Sequence, residues 1–262
     1  MPSTPRGQRT SFGLELTSTI VSALRATVTT TELKALMKAV ALEMGFRHYA
    51  LIHHDDLRVP SPDRVDLKDY PAAITERLIG QHRYRRDPVI RGCIFADSAF
   101  LWSDLSRFIR LDRHDRASFE LGARAGLNEG ITVPYVRLGD RMGSCTFAGI
   151  RRPERAHRYL GAAQMIGIFA FQAARRMVLG EISVVPALPK LHPRPRDCVI
   201  LAGRGLSNKQ IARALSLTPR TVDGYLTEAR RLFDAHDRTE LVVSAVLAGE
   251  VELDELRSRQ PE

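Results

Sequence analysis

The sequence predicts an α+β protein: an N-terminal α-β-α sandwich around an antiparallel sheet, followed by a small all-α helix-turn-helix module. Three observations predict it. Strand-like runs at Phe46–His53, 131–138 and Gly143–Ile150 lie between helical stretches, the last two joined across Gly139-Asp140-Arg141 as a hairpin. Residues 208–233 split into two short helical patterns around Ser216-Leu217-Thr218. Between these regions, residues 183–195 hold four prolines and no regular period, the composition of a linker.

Taken in order, residues 1–13 are polar and expected to be disordered, and 14–27 reads as a helix. Thr29-Thr30-Thr31 precede a second helix, with Thr31 as candidate N-cap and Leu33, Leu36, Met37, Val40 and Met44 as its buried face. Gly45 ends it. Along the first strand, Tyr49, Leu51 and His53 fall on one side and Ala50 and Ile52 on the other. Residues 55–69 read as loop, Tyr70-Pro71 opens a helix to about 79, and 84–97 reads as irregular before Phe100-Leu101-Trp102. A further helix is expected over 112–127. Pro153 begins a long one to about 179, with Tyr159, Ala163, Ile166, Ala170, Ala173 and Met177 along one stripe. The sandwich thus spans 14–180, the linker 181–192, the helical module 193–249 and an acidic tail 250–262.

Composition narrows the class. With 262 residues, 44% apolar and 26% charged, the chain suits a globular protein of one sizeable and one small domain. No apolar run approaches the ~20 residues of a membrane span, and residues 1–10 lack a signal-peptide core, so a cytoplasmic protein without membrane contact is expected. Cys93, Cys145 and Cys198 are scattered, with neither disulfide framework nor zinc spacing, and read as small buried residues. A net charge of +9 favours a polyanionic partner without choosing which.

The helical module says more. In its second helix Val222, Leu226, Ala229 and Phe233 recur at steps of four, three and four, and Thr218 as N-cap with Pro219 as first residue fix the start. Arg220, Gly224, Thr227 and Arg231 lie opposite that stripe, a basic face with a small residue at its centre that suits a DNA major groove. Ser207, Asn208, Lys209 and Thr218 sit at helix starts and suit phosphate contacts, with Thr221 beside them. Arg220, Thr227 and Arg231 are candidates for base edges, with Asp223 and Tyr225 after them. The plainer alternative is a solvated helix on a small bundle.

Enzymatic signatures are missing from the sequence. There is no Gly-rich phosphate loop, nucleophile elbow or paired Cys-x-x-Cys. His53-His54-Asp55-Asp56 invites a metal reading, but adjacent strand residues point to opposite faces and do not share an ion. No catalytic residue, metal or cofactor is expected.

Residues 191–247 resemble the LuxR-type helix-turn-helix domain. The resemblance rests on Gly205-Leu206-Ser207-Asn208-Lys209-Gln210-Ile211-Ala212, on Thr218-Pro219-Arg220-Thr221-Val222 and on Arg238-Thr239-Glu240-Leu241-Val242. Pro195 stands where that family has Glu after Pro-Arg, and Tyr225 stands for its usual His. The N-terminal half resembles, more loosely, the autoinducer-binding domain of the quorum-sensing branch. The matches are Asp87-Pro88-Val89, Trp102 fifteen residues beyond Asp87, Gly130-Ile131-Thr132-Val133-Pro134, and Tyr70-Pro71.

The resemblance implies a pocket for an acyl-homoserine lactone. Asp87 would accept from the ligand amide, Tyr70 and Thr146 would bond the acyl carbonyl, Trp102 would wall the lactone ring, and Val89 would line the site. Each has a plainer reading: Asp87 as turn or cap, Trp102 as core, Tyr70 as helix-start packing, Thr146 as strand. Ile74 and Leu78 occupy positions where the family carries aromatics, the first of them a Trp that donates to the lactone carbonyl. Ile74 has no donor, which would leave that carbonyl short by roughly 1–3 kcal/mol. Either another donor replaces it, or the signal is a non-standard apolar molecule lacking that carbonyl, or no ligand binds. The resemblance further implies a homodimer, with contacts from the helix over 153–179 and the last helix, 240–248. It would read a roughly palindromic site on double-stranded DNA, with RNA polymerase as a further partner. The alternative is a ligand-independent regulator whose first half is a dimerisation scaffold.

Overall fold

The computed structural model describes residues 13–55, 61–80, 86–180 and 189–257, with 77–80 as backbone only. The expectation of disorder over 1–13 lies almost wholly outside the described residues, as does most of the linker. The chain forms two compact units, Met1–Ile182 and Ser183–Glu262.

The first unit is built on a five-stranded antiparallel sheet in the order β2-β1-β5-β4-β3, from β1 (Phe46–His53), β2 (Asp66–Lys68), β3 (Phe100–Leu101), β4 (Gly130–Tyr135) and β5 (Gly143–Ile150). Strand alternation gives it two working faces. Tyr49, Leu51, Ile131, Val133, Cys145 and Phe147 turn to one, where α1 (Leu14–Ala26), α2 (Thr30–Glu43) and α6 (Leu160–Leu179) bury them in the main core. Gly167 lets α6 lie close on the sheet, since a Cβ there would meet Val133 at 2.7 Å. Ala50, Ile52, Ser144 and Thr146 turn to the other face, beneath α3 (Ala72–Gly80), α4 (Pro88–Gly92) and α5 (Arg113–Arg124).

Several local expectations are corrected. Thr29, not Thr31, caps α2, because Glu32 stands three residues on and reaches back to the Thr29 and Val28 amides, completing a capping box. The loop over 55–69 contains β2, three residues of half-buried edge too short to show a period. The irregular 84–97 contains α4. Pro153–Tyr159 is a 3-10 turn, and the α-helix proper starts at Leu160. The β4–β5 connection runs from 136 to 142, longer than a tight turn, and Arg141 ties it to Asp63 at 2.9 and 3.1 Å.

In the second unit, α7 (Pro193–Gly203), α8 (Asn208–Leu215), α9 (Pro219–Leu232) and α10 (Arg238–Leu247) enclose a core of Cys198, Val199, Ile211, Val222, Leu226, Ala229, Leu241 and Ala245. Pro195 sits in the first turn of α7, where no intrahelical N–H is needed. Ser207 and Gln210 form a capping box on α8, and Ser216 takes a left-handed conformation (φ 56°) to end it. Residues 250–257, read from sequence as an acidic tail, fold back: Val251 joins the core, Glu255 grips Arg196 at 2.7 and 2.9 Å, and Glu250 accepts from the Leu191 amide at 2.8 Å.

Candidate functional site

Between the second face of the sheet and α3, α4 and α5 lies a largely apolar cavity of about 110 Å³. Six of the seven residues nominated from sequence line it: Tyr70, Ile74, Asp87, Val89, Trp102 and Thr146. The seventh, Leu78, has its side chain outside the described residues. Enclosed apolar walls with a few convergent polar groups are the ordinary form of a small-molecule site.

Asp87 takes the cap role of its plainer reading and also lines the cavity. Pro88 fixes the first turn of α4, and Asp87 caps that turn, Oδ1 accepting from the Val89 and Ile90 amides at 2.9 and 3.1 Å. Its Oδ2 takes no hydrogen bond among the described residues, and the residue lines the cavity. Burial pushes the carboxyl up to about 6, against the two amide bonds, which lower it.

Trp102 follows β3 on a 3-10 turn and lies flat against Gly130, where a Cβ would meet the indole at 2.6 Å. Its Nε1 donates to Thr132 Oγ1 at 3.0 Å, and Thr132 and Thr146 share a bond of 3.0 Å across the β4–β5 pair. Thr146 in turn neighbours the Tyr70 hydroxyl, whose phenol is driven upward mainly by burial. The indole donor is thus engaged within the protein. Read from Trp102 outward, Thr132 accepts from the indole, and the Thr132 and Thr146 hydroxyls share one hydrogen, either of them able to donate it. Ile74 is nearly fully buried and contributes only apolar surface.

Among the cavity residues not nominated from sequence, three are polar: Ser144, His54 and Ser118. Ser144 and His54 continue the alternation that places Thr146, Ala50 and Ile52 on this face, so strand parity would have found them. Ser118 comes from α5, whose facing no strand pattern predicts. His53 and His54 do diverge: His53 packs on Phe171 at 5.1 Å between ring centres, and His54 lines the cavity.

On the helical module, Arg220, Gly224 and Arg231 are exposed on α9, as are Ser207, Lys209 and Thr218 at the helix starts; Thr221 and Thr227 are half-buried. A Cβ on Gly224 would meet nothing within 4 Å. Several hydroxyls are engaged locally. Thr218 caps α9 and bonds Thr221, Ser207 bonds Gln210, and Thr227 accepts from Arg230 at 3.0 Å. Asn208, expected to grip phosphate, also braces the module. Its side chain donates to Asp223 at 3.3 Å and accepts from Arg238 at 3.0 Å, linking α8, α9 and α10.

An α+β unit with a cavity and a helix-turn-helix module on one chain define a class of two-domain DNA-binding regulators. A model of the autoinducer binding domain matches residues 29–174, and a model of the bacterial regulatory proteins of the luxR family matches 190–245. The quorum sensing-dependent transcriptional regulator RpaR of Rhodopseudomonas palustris is 28% identical over 215 residues, covering 80% of this chain and 84% of that one. The transcriptional activator AnoR of Acinetobacter nosocomialis is 20% identical over 222 residues, covering 83% and 91%. In fold the chain is similar to SdiA of Escherichia coli, with a TM-score of 0.55 and 18% identity over 90% of this chain and 98% of that one; SdiA is also solved in complex with octanoyl-rac-glycerol. The chain belongs to the LuxR-type quorum-sensing transcriptional regulators, with an autoinducer-binding domain followed by a LuxR helix-turn-helix.

Proposed function

We propose that this chain is a cytoplasmic, non-enzymatic regulator that binds a small acyl signal in the cavity and a palindromic promoter site through α9. One observation carries the signal reading: Asp87, whose Oδ2 takes no hydrogen bond among the described residues, and the hydroxyl-bearing Thr146 and Tyr70 border one largely apolar cavity. Asp87 accepts the ligand amide N–H, Thr146 and Tyr70 bond the acyl carbonyl, Trp102 walls the head group, and Ile74 and Val89 pack against it. Because Ile74 cannot donate, the head group is either a homoserine lactone served by another donor, with Ser118 the hydroxyl at hand, or an analogue without that carbonyl. SdiA's octanoyl-rac-glycerol is an acyl ester with no lactone ring.

Residues 14–180 then form the sensing domain and 193–249 the DNA-binding domain, joined by 181–192. Ligand that binds only the folded form stabilises it in proportion to RT ln(1 + [L]/Kd). The stabilised domain dimerises through α6, and α10 pairs the DNA-binding domains so that two copies of α9 meet successive major grooves. Arg220 and Arg231 read base edges, while Lys209 and the amides behind Ser207 and Thr218 hold phosphate. In this reading RNA polymerase is a further partner at the promoter.

The test is melting of the full-length protein with N-acyl-homoserine lactones and with 1-octanoyl-glycerol, in wild type and Asp87→Asn. A rise in the wild type that Asp87→Asn loses supports the site. No rise with any probe, together with undiminished binding to a selected DNA site, would make the first domain a ligand-independent dimerisation scaffold.

A further inference from the structure

The cavity wall made by β1 and β5 carries two polar stations. The first is Thr146, paired across the strands with Ala50. The second is Ser144, paired with Ile52, one pleat repeat further along β5 and therefore roughly 7 Å away on the same face. His54, just beyond the end of β1, lies beside it, with Nε2 2.9 Å from Ser144 Oγ. Both side chains line the cavity. His54 Nδ1 is buried and has no partner among the described residues. The imidazole is held neutral, its proton affinity lowered to about 4 first by burial and then by His53.

A neutral imidazole has one N–H, so the bond between His54 and Ser144 consumes one hydrogen whichever way it runs. If Nε2–H donates, the Ser144 O–H remains for an oxygen in the cavity. If the hydroxyl donates, its lone pairs remain for an incoming O–H. The other neighbour of this hydroxyl is the buried Cys93 thiol, a weak partner. A bare alkyl chain laid across this spot would exclude water from a polar pair and return nothing.

Resting on the reading of the cavity as an acyl-signal site, we infer that the ligand's tail is oxygenated. It carries a hydroxyl or carbonyl roughly 7 Å beyond the head carbonyl, received by Ser144, with His54 as the positioning residue that fixes the Ser144 rotamer. A hydroxyl fits best, because it satisfies Ser144 in either arrangement of the proton.

The experiment compares N-hexanoyl-homoserine lactone with N-(6-hydroxyhexanoyl)-homoserine lactone, which differ by one terminal oxygen. Binding of each to the full-length protein is measured by calorimetry in wild type, Ser144→Ala and His54→Phe. The hydroxylated probe is expected to bind wild type roughly five- to tenfold more tightly, the worth of one buried hydrogen bond. Ser144→Ala should erase that preference, bringing the two probes' affinities within the variant to equality. His54→Phe should reduce it, read as the ratio of the two probes' affinities within the variant. Equal binding of the two probes to wild type, or a preference that survives Ser144→Ala, overturns the inference and leaves the acyl-signal reading standing. Failure of both probes to bind a folded wild type overturns both.

Discussion

Arg91 Nη1 lies 2.9 and 3.1 Å from the two carboxylate oxygens of Asp115, joining α4 to the first turn of α5 over the cavity. Asp115 is almost fully buried and also accepts from the Asp112 amide at 3.0 Å, so one carboxylate closes the α5 cap and anchors the roof. Removing the cation strands that charge, whereas softening the anion does not. Arg91→Met should therefore cost on the order of 2–3 kcal/mol, discounted because Arg91 is itself a third exposed. Asp115→Asn should cost about 1 kcal/mol, since the amide oxygen still accepts from Asp112. Urea unfolding of the full-length protein ranks the two; the reverse order would show that the bridge is not what holds the roof.

Asp87 makes the cavity pH-sensitive. Its folded carboxyl titrates near 6, above the ordinary value of 3.8, because burial disfavours the charge. The folded state therefore holds the proton over a window in which the unfolded chain has released it. The contribution to stability is full below about pH 4 and is lost as pH rises through about 6. A ligand N–H donated to Oδ2 acts oppositely, selecting the carboxylate. Affinity for an amide-bearing ligand should thus rise between pH 5 and 7, with proton release on binding near pH 6 visible as buffer-dependent calorimetric heats. Asp87→Asn should melt higher than wild type at pH 7.5 without ligand, and should show a flat affinity profile. A pH-independent wild-type affinity would remove Asp87 from the ligand's contacts.

Trp102 is the chain's single tryptophan, so intrinsic indole fluorescence reports this cavity alone. Gly130 is what allows the ring to lie where it does. In Gly130→Ala the new methyl would fall 2.6 Å from the indole, forcing the ring off Thr132. The expected cost is roughly 1–3 kcal/mol, with a shift of the emission maximum as the indole loses its Thr132 partner. Thr132→Val should move the same emission without the clash, and should weaken a probe that bonds Thr146. An unmoved spectrum in both variants would mean that the indole does not sense the hydroxyl chain.

How far the sequence exposed this molecule follows the range of each signal. The α8–α9 pair was readable because Ser207, Thr218 and Pro219 act on their own helices, and the stripe from Val222 to Phe233 needs no distant partner. The cavity was readable only through resemblance, since Tyr70, Asp87, Trp102 and Thr146 come from four separate elements. Short pieces escaped: β2 and α4 have three and five residues, fewer than either period needs. Pairings at long separation escaped as well. Nothing near Asn208 announces Arg238, and the acids over 250–257 looked like a solvated tail until Arg196 was placed against them.

Gly224 gives the cleanest separation between stability and DNA binding. It sits exposed in mid-helix on α9, where glycine is disfavoured by about 1 kcal/mol against alanine, and a Cβ there would meet nothing in the protein. Packing within the chain therefore does not explain the residue, while close approach of DNA between Arg220 and Arg231 would. Gly224→Ala should raise the module's stability by up to about 1 kcal/mol in thermal unfolding. Gly224→Leu should be equally well folded, yet bind at least about tenfold more weakly to a palindromic site enriched from a random pool, because the longer side chain holds the helix out of the groove. Arg220→Ala and Arg231→Ala supply the comparison, each losing roughly 1–3 kcal/mol on the selected site and far less on random DNA if they read bases. If Gly224→Leu binds both DNAs as the wild type does, the exposed face of α9 is not the one that enters the groove, and the reading surface has to be sought elsewhere on the module.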